Sequence, residues 1–234
     1  MGLHRRFDPD TSAARDLVTG GRIGAPYYFR TSLRDMTPQP LEYIKVSGSF
    51  FVDVSIHDLD LARWLVGEIV EVSATGSSVS NPAYDELGTV DQAVIVVRFE
   101  NGALGVIDNS RIAGYGYEAS SEIVGAEATL RIDHSQRTNL TVLSGESARR
   151  DHVVDFVERF RDAYRLELVS FVDAVRNRRP VAVDGWDALA AFTLASAADR
   201  SWRSGEPVRL EIDRAGDRVE YSVGRRIAEL MSDR

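Results

Sequence analysis

Residues 93–110 read AVIVVRFENGALGVIDNS, two strand-like runs on either side of a tight turn. The first run, Ala93 to Phe99, is rich in β-branched residues, which favour strands. Asn101-Gly102 is a strong hairpin signal, because both residues tolerate the positive φ angles that a two-residue turn requires. The chain then returns from Leu104 to Ser110. These residues predict an antiparallel pair of strands, since a parallel pair needs a much longer connection.

Further strand-like segments lie on both sides of this hairpin, over residues 27–34, 70–77, 118–124, 128–132, 140–143 and 208–212. Helical spacing and capping residues predict helices over residues 8–19, 50–66, 155–176 and 184–201. Helices at both ends of a block of strands indicate an α+β fold, with an open, mainly antiparallel sheet and helices packed on one face. We expect a single domain over residues 1–212 and a charged C-terminal tail over residues 213–234.

The composition excludes several classes of protein. The chain has 28 Lys and Arg against 36 Asp and Glu, a formal net charge of -8, whereas a nucleic-acid-binding protein usually has a basic face. It has no cysteine, which excludes disulfides and thiolate metal sites. No segment approaches the roughly 20 apolar residues that cross a bilayer, and the first residues lack the apolar stretch of a signal peptide. We therefore expect a cytoplasmic protein with no nucleic-acid or membrane partner.

Polar residues lie along one side of the predicted helix over residues 50–66. Asp53, His57, Asp60 and Trp64 stand at i, i+4, i+7 and i+11, which places them within an arc of about 60° at 3.6 residues per turn. Apolar residues fill most of the remaining surface, so the helix is expected to be buried. Because buried carboxylates and imidazoles are costly unless they are paired or face a cleft, this side of the helix is a candidate site.

Asp53 and His57 form a chemically useful pair. A carboxylate one turn before a histidine can accept a hydrogen bond from one ring nitrogen, fix the tautomer and raise the basicity of the ring. The other nitrogen can then exchange a proton with a substrate hydroxyl. Spacing alone favours an ordinary i,i+4 pair near a helix N-terminus. A metal site formed by His57, Asp58 and Asp60 is a weaker alternative, and we expect no metal in a chain with only 4 histidines.

The segment SGSFFVDVSIHDLDLARWL, residues 47–65, resembles the substrate-domain motif of the glucose–fructose oxidoreductase/inositol dehydrogenase (Gfo/Idh/MocA) family. Other matches follow in the family's order: RRFDP at 5–9, GRIGAP at 21–26, FENG at 99–102, YGYE at 115–118 and EIVG at 122–125. Residues 159–174 and Trp186-Asp187 are most similar to inositol 2-dehydrogenases. The resemblance covers residues 3–212. It departs from the family at Ser47-Gly48-Ser49, where paired glycines are expected, and at Glu118-Ala119-Ser120.

The resemblance implies roles for individual residues. His57 matches the catalytic acid/base of the family, and Asp53 matches the acidic residue that assists it. The substrate-binding positions of the family match Arg6 (or its neighbour Arg5), Asp35, Asp60 and Tyr117. Family members commonly pair their sheets across subunits, so the resemblance also implies a homodimer or homotetramer.

The resemblance further implies NAD or NADP as cofactor, held mainly by a nucleotide-binding domain that precedes the matched region. Such a domain needs a strand, a Gly-x-Gly-x-x-Gly turn and a helix N-terminus that receives the pyrophosphate, and the chain contains no such pattern. The nearest cluster, residues 20–24, follows a predicted helix instead. The Glu-Lys-Pro motif of the family is also absent, and the only lysine is Lys45. We expect no cofactor-binding residue in this chain and an N-terminal domain lost through truncation, present on a split partner or left out of a fragment.

The sequence thus predicts the substrate half of an NAD(P)-dependent oxidoreductase. It would oxidise a hydroxyl of a cyclic polyol such as myo-inositol, or of a related sugar, to a ketone. The chain by itself is expected to be inactive because it lacks the nucleotide-binding domain. The alternative is a non-catalytic polyol-binding or oligomerisation module of the same family.

Overall fold

The computed structural model describes residues 2–133, 135–215 and 218–223. The strands are β1 (Pro26–Arg34), β2 (Ile69–Ser77), β3 (Gln92–Phe99), β4 (Leu104–Ser110), β5 (Glu118–Gly125), β6 (Thr129–Ile132), β7 (Thr141–Leu143), β8 (Ala148–Arg150), β9 (Val208–Ala215) and β10 (Arg218–Val223). The helices are α1 (Pro9–Thr19), α2 (Leu41–Ile44), α3 (Ile56–Val66), α4 (Ala83–Glu86), α5 (Phe156–Arg159), α6 (Arg161–Arg176) and α7 (Gly185–Ser204). A 3₁₀ turn spans His4–Phe7, and a π-helical turn spans Phe51–Ser55.

Eight strands form one sheet in the order β10-β9-β2-β3-β4-β1-β5-β6, and β7 and β8 form a separate hairpin. The hairpin predicted over residues 93–110 is confirmed, with Gly102 at a φ of 87° in its turn. Neighbouring strands of the described chain are antiparallel except β1 and β4, which run parallel with Tyr28 opposite Leu104. The predicted α+β fold with an open, mainly antiparallel sheet is therefore confirmed.

One face of the sheet shares a core with α3 and α7. Along β3 the residues alternate between buried and exposed: Ile95 and Val97 lie in this core, whereas Val94 and Val96 are exposed on the opposite face. The α7 helix begins with a capping box at Asp184, and its buried face consists mainly of alanines, which allow close packing. The helix-free face of the sheet is left with exposed valines in the described chain.

The helix predicted over residues 155–176 is divided in two by Phe160. This residue lies between α5 and α6 with φ of -107° and ψ of 20°, outside the α-helical region. Its ring is 2% exposed, so burial of a large aromatic side chain accompanies the break. The periodic spacing of the apolar residues continues across this point, which is why the pattern alone predicts one continuous helix.

The predicted charged tail is wrong for its first part. The expected boundary at residue 212 falls inside β9, and β10 follows it and pairs with it in antiparallel fashion. Apolar residues alternate with the charged ones here, as at Leu210, Ile212, Val219 and Tyr221, and this alternation is the pattern of a strand. The remaining tail residues, 224–234, lie outside the described residues.

Candidate active site

Five separate parts of the chain line a cavity of about 260 Å³. Its polar lining comprises His4, Arg5, Asp35, Gln39, Tyr43, Asp53, His57, Arg111, Tyr117 and Tyr164. Its apolar lining comprises Leu33, Val54, Phe156 and Phe160. Sites for drug-sized ligands usually measure about 300–1,000 Å³. This cavity therefore suits a smaller molecule, and its many donors and acceptors suit one with several hydroxyl groups.

Asp53 and His57 both line this cavity, but the helix that carries them is not α-helical at its start. The turn Phe51–Ser55 is π-helical, with wider i to i+5 hydrogen bonding, and α3 begins only at Ile56. The adjacent side chains of Phe50 and Phe51 are both buried in this region. The prediction of 3.6 residues per turn from residue 50 onward is therefore wrong for the turn that contains Asp53.

The carboxylate of Asp53 is held by two residues far from it in sequence. Its Oδ1 accepts a hydrogen bond from the Tyr43 hydroxyl at 2.7 Å, and its Oδ2 accepts one from Arg111 Nη2, also at 2.7 Å. The Arg111 side chain is 2% exposed, and its guanidinium lies 5.4 Å from the centre of the Phe50 ring. Both oxygens of Asp53 thus have a fixed partner, and this arrangement keeps the carboxylate in one orientation.

The predicted hydrogen bond between Asp53 and His57 is not formed. Nδ1 of His57 is buried and has no partner among the described residues. Burial, and then the charge of Arg5, lower the pKa of His57, while Asp58 and Asp53 act in the opposite direction with smaller effect. Asp53 thus has the predicted raising effect on the pKa of His57, but burial and Arg5 outweigh it. A lowered pKa keeps the imidazole neutral at neutral pH, which is the state that can accept a proton.

Arg6 and Asp60, two of the predicted substrate-binding residues, do not line the cavity. They form a buried ion pair in which Arg6 donates to the Asp60 oxygens at 2.9 and 2.5 Å, and Arg6 also reaches Asp187 at 3.0 Å. Burial by itself lowers the pKa of Arg6, but the hydrogen bonds and charges of Asp60 and Asp187 raise it above its ordinary value. Trp64 packs in the same region, 5.8 Å from the Arg6 guanidinium. The structure thus places these residues in a buried group of ion pairs outside the cavity lining.

The neighbouring Arg5 is the arginine that faces the cavity. Its guanidinium also forms a buried ion pair with Asp58, which accepts further hydrogen bonds from Thr31 at 2.9 Å and Asn109 at 2.8 Å. Asp58 and Asp60 are thus each bound to an arginine. In the described part of the chain, no group of three or more His, Cys, Asp or Glu residues is arranged to hold a metal ion.

Asp35 and Tyr117, the other two predicted substrate-binding residues, both line the cavity. Tyr117 is 5% exposed, its ring meets Phe160 edge-on at 6.2 Å, and burial raises the pKa of its hydroxyl. The Asp35 carboxyl forms no hydrogen bond or ion pair with the described residues and is half-buried. Burial raises the pKa of Asp35 to about 6, with Arg111 lowering it and Asp53 raising it to smaller extents.

A ligand with several hydroxyl groups is expected to bind this cavity more tightly as pH rises through about 6, because Asp35 then becomes a carboxylate that accepts charge-assisted hydrogen bonds. The gain is about fivefold between pH 5 and pH 7, from the difference between charged and neutral hydrogen bonds. Titration of the chain with myo-inositol at each pH measures it. In Asp35→Asn the amide cannot ionise, so the inflection disappears. An unchanged inflection in that variant would contradict the assignment to Asp35.

Sequence reasoning missed five polar residues of the cavity: His4, Gln39, Tyr43, Arg111 and Tyr164. Tyr43 lies in a segment interrupted by prolines, and Arg111 is 58 residues from the carboxylate that it binds. No local spacing connects such residues to Asp53. Arg111 follows strand β4 directly, and this position is the one feature of the sequence that could have indicated a buried arginine. A single charged residue at a strand end is, however, ordinarily solvated, so the position does not predict its burial.

The described residues do not fit a dinucleotide. The one parallel strand pair among them, β1 and β4, is connected through β2 and β3 rather than through a βαβ crossover. The glycine cluster after α1 leads into a strand, and a Cβ at Gly24 would lie 3.1 to 3.2 Å from Glu127 and Ala126, so this turn packs against protein. Neither feature presents a helix N-terminus to a pyrophosphate. No helix in the described part of the chain has the length and apolar character needed to cross a membrane.

Residues 15–210 match the model of the oxidoreductase family, C-terminal alpha/beta domain. The chain is 42% identical over 213 residues to a myo-inositol 2-dehydrogenase of Thermotoga maritima, covering 90% of this chain and 64% of that protein. It is 39% identical over 216 residues to a scyllo-inositol 2-dehydrogenase (NAD(+)) of Bacillus subtilis, covering 92% of this chain and 63% of that protein. The chain therefore spans less than two thirds of the length of these relatives.

Among solved structures, the fold is similar to that of a scyllo-inositol dehydrogenase from Lactobacillus casei with bound cofactor NAD(H) and scyllo-inositol. The TM-score is 0.82 and the sequence identity 29%, over 89% of this chain and 63% of that chain. The sequence and the fold thus point to the same group of proteins.

Proposed function

This chain belongs to the oxidoreductase family whose C-terminal α/β domain matches residues 15–210. On that basis we propose that the chain is the substrate-binding and proton-transfer part of a polyol dehydrogenase. The reaction is the oxidation of one hydroxyl of a cyclic polyol such as myo-inositol to a ketone. The observation that carries the proposal is the place of His57, a buried imidazole whose pKa is lowered by burial, in a small cavity whose other lining groups suit a polyhydroxylated ligand.

Oxidation of a CH–OH group to C=O removes a proton from oxygen and a hydride from carbon. In the proposal, neutral His57 accepts the hydroxyl proton and becomes an imidazolium. Arg5, Asp35 and Tyr117 bind the remaining hydroxyls, since they line the same cavity and offer both donors and acceptors. Asp53, fixed by Tyr43 and Arg111, supplies a negative charge that stabilises the imidazolium once it forms.

The substrate class is supported by what the related proteins are named for. Relatives at 42% and 39% identity are a myo-inositol and a scyllo-inositol 2-dehydrogenase, and the solved structure of a further relative contains scyllo-inositol. A cyclitol has a hydroxyl on every ring carbon, which matches a cavity with polar groups on several sides. We include the isomers of inositol and related sugars in the proposed class.

The hydride acceptor in the proposal is NAD or NADP, which supplies the redox chemistry and is held mainly by a domain other than this one. This follows from the poor fit of the described residues to a dinucleotide. It also agrees with the NAD(+) in the name of the Bacillus subtilis relative and with the NAD(H) bound in the Lactobacillus casei structure. The chain by itself should accordingly bind polyol without oxidising it.

The proposal is tested with the chain alone and with a hybrid. The hybrid joins the chain to the N-terminal part of the Bacillus subtilis relative that precedes the matched region. We expect the chain alone to bind myo-inositol without reducing NAD, and the hybrid to reduce NAD when myo-inositol is added. Turnover by the chain alone would contradict the proposed location of the cofactor. A hybrid that binds both ligands without turnover would favour a non-catalytic polyol-binding module.

The proposed oligomer is a homodimer or homotetramer formed through the helix-free face of the sheet. Val94, Val96 and Leu104 are 41%, 46% and 42% exposed on neighbouring strands of this face. Contiguous exposed apolar side chains of this kind are typical of an interaction surface.

Val96→Arg is expected to convert the oligomer to a monomer, because a charge in the centre of an apolar interface loses its hydration without gaining a partner. Sedimentation or light scattering of the purified chain measures the mass. Val79→Arg is the matched control, since Val79 is 81% exposed in the loop between β2 and α4, outside the strands. A monomeric wild type, or a Val96→Arg variant of unchanged mass, would contradict an interface on this face.

A further inference from the structure

His4 is a cavity residue that the proposed proton transfer does not use. It lies in the 3₁₀ turn at the start of the described chain and is 7% exposed. Its ring is stacked on Tyr164 at 4.6 Å and meets Phe160 edge-on at 4.7 Å. It also meets the His57 ring edge-on at 5.1 Å. Aromatic contacts on three sides fix the position of the His4 ring relative to His57.

The two imidazoles share an unusual feature. Nε2 of His4 and Nδ1 of His57 are both buried, and neither has a hydrogen-bond partner among the described residues. Buried polar atoms in proteins almost always have a partner, and Nε of Arg5 and Nε of Arg111, on the same cavity, also lack one, so this group of exceptions requires an explanation. A ligand or water in the cavity is the ordinary explanation.

The charge state of His4 suits a hydroxyl partner. Burial, followed by His57, Arg5 and Arg159, lowers the pKa of His4 to about 3. The ring is therefore neutral over the whole physiological range, with one nitrogen as donor and the other as acceptor. An imidazolium would be a donor only, whereas a neutral ring can match a hydroxyl in either direction.

We propose that His4 is a second hydroxyl-binding residue of this cavity, which recognises the hydroxyl next to the one that His57 deprotonates. The inference rests on the proposed function and deepens it: the substrate class becomes polyols with two neighbouring hydroxyls, one bound by each imidazole. Two rings in edge contact can each reach one hydroxyl of such a pair within ordinary hydrogen-bond distance, about 2.7–3.2 Å.

The first test compares ligands and variants by NMR titration of the chain. The ligands are myo-inositol and the monodeoxy-inositols, each of which lacks one hydroxyl. In the wild type, we expect one deoxy compound to bind about 5- to 100-fold more weakly because the His4 nitrogen is left unpaired. His4→Phe keeps the ring contacts and removes both nitrogens. It should bind myo-inositol more weakly by a similar factor and no longer distinguish that deoxy compound from myo-inositol.

His152→Phe is the matched control, because His152 does not line the cavity, and it should preserve the discrimination. The inference is overturned if His4→Phe discriminates among the deoxy compounds as the wild type does, which is the result expected of a histidine that only packs. The proposed function survives that outcome, because myo-inositol still binds. If no polyol binds to the wild type, both the inference and the proposed function are overturned.

A second measurement uses only the wild-type chain, so it does not depend on whether a variant folds. The ring resonances of His4 and His57 are followed in the wild type while myo-inositol is added. We expect both to shift and saturate at the same ligand concentration. Saturation at His57 without any shift at His4 would overturn the inference and leave the proposed function intact.

Discussion

His57→Gln in the hybrid enzyme lowers kcat for myo-inositol by about 10²- to 10⁴-fold, the usual contribution of a general base. Glutamine retains a donor and an acceptor at this position, so KM should change far less than kcat. The residual activity of the variant should rise with pH, because solvent base takes over the removal of the hydroxyl proton. The wild type should instead lose activity only below pH 6.5, since the pKa of His57 is lowered from that value. Initial rates of NAD reduction across pH measure both profiles.

His152→Gln serves as the control, because this histidine lies outside the lining of the cavity and its replacement should leave kcat unchanged. A His57→Gln variant with wild-type kcat would exclude His57 as the base. If KM rises by a similar factor while kcat is unchanged, His57 only binds the substrate.

Arg6→Met lowers the free energy of unfolding by about 3–5 kcal/mol, the usual cost of removing one partner of a buried ion pair. Asp60 is 2% exposed, and without Arg6 its carboxylate is left buried with no bonded cation. Urea denaturation of the purified chain measures the change. The double variant Arg6→Met/Asp60→Leu should recover most of the loss, because two apolar side chains replace the pair and neither charge remains buried.

Lys45→Met is the control for this pair. The Lys45–Glu42 ion pair is exposed, with side chains 49% and 83% accessible, so its loss should change stability by less than about 1 kcal/mol. Equal stability of Arg6→Met and the wild type would show that the pair is not stabilising. If the folded Arg6→Met variant lost polyol binding while Asp35 and Tyr117 stayed in place, Arg6 would have a role in the site after all.

Local sequence patterns were sufficient to predict most strands of the sheet and the position of the candidate site. The β3 strand could be predicted because β-branched residues precede an Asn-Gly turn, and α7 because Asp184 and Gly205 mark its two ends. Asp53 and His57 could be placed together because helical spacing holds approximately even through a π-helical turn. These features depend on neighbours within a few residues, which a sequence displays directly.

Pairing over long distances in sequence could not be predicted. Arg5 and Arg6 are adjacent and chemically identical, and only the packed structure separates the one that faces the cavity from the one that binds Asp60. The same holds for Arg111, whose partner is Asp53, and for His4, whose ring meets His57. Tertiary contacts determine which carboxylate pairs with which arginine. The local spacing of residues in the sequence does not contain this information.

The position of β1 between β4 and β5 has a consequence for how the chain folds. Thr31 of β1 pairs with Ile107 on one side and Ser121 on the other, so neither neighbour is close to it in sequence. Pairings of this kind require large loops to close before any contact forms, which slows folding towards the range of milliseconds to seconds. The cavity draws its residues from the regions that these pairings join. The proposed proton transfer to His57 therefore requires the slowest strand pairings to be complete, and partly folded chains are expected to bind no substrate.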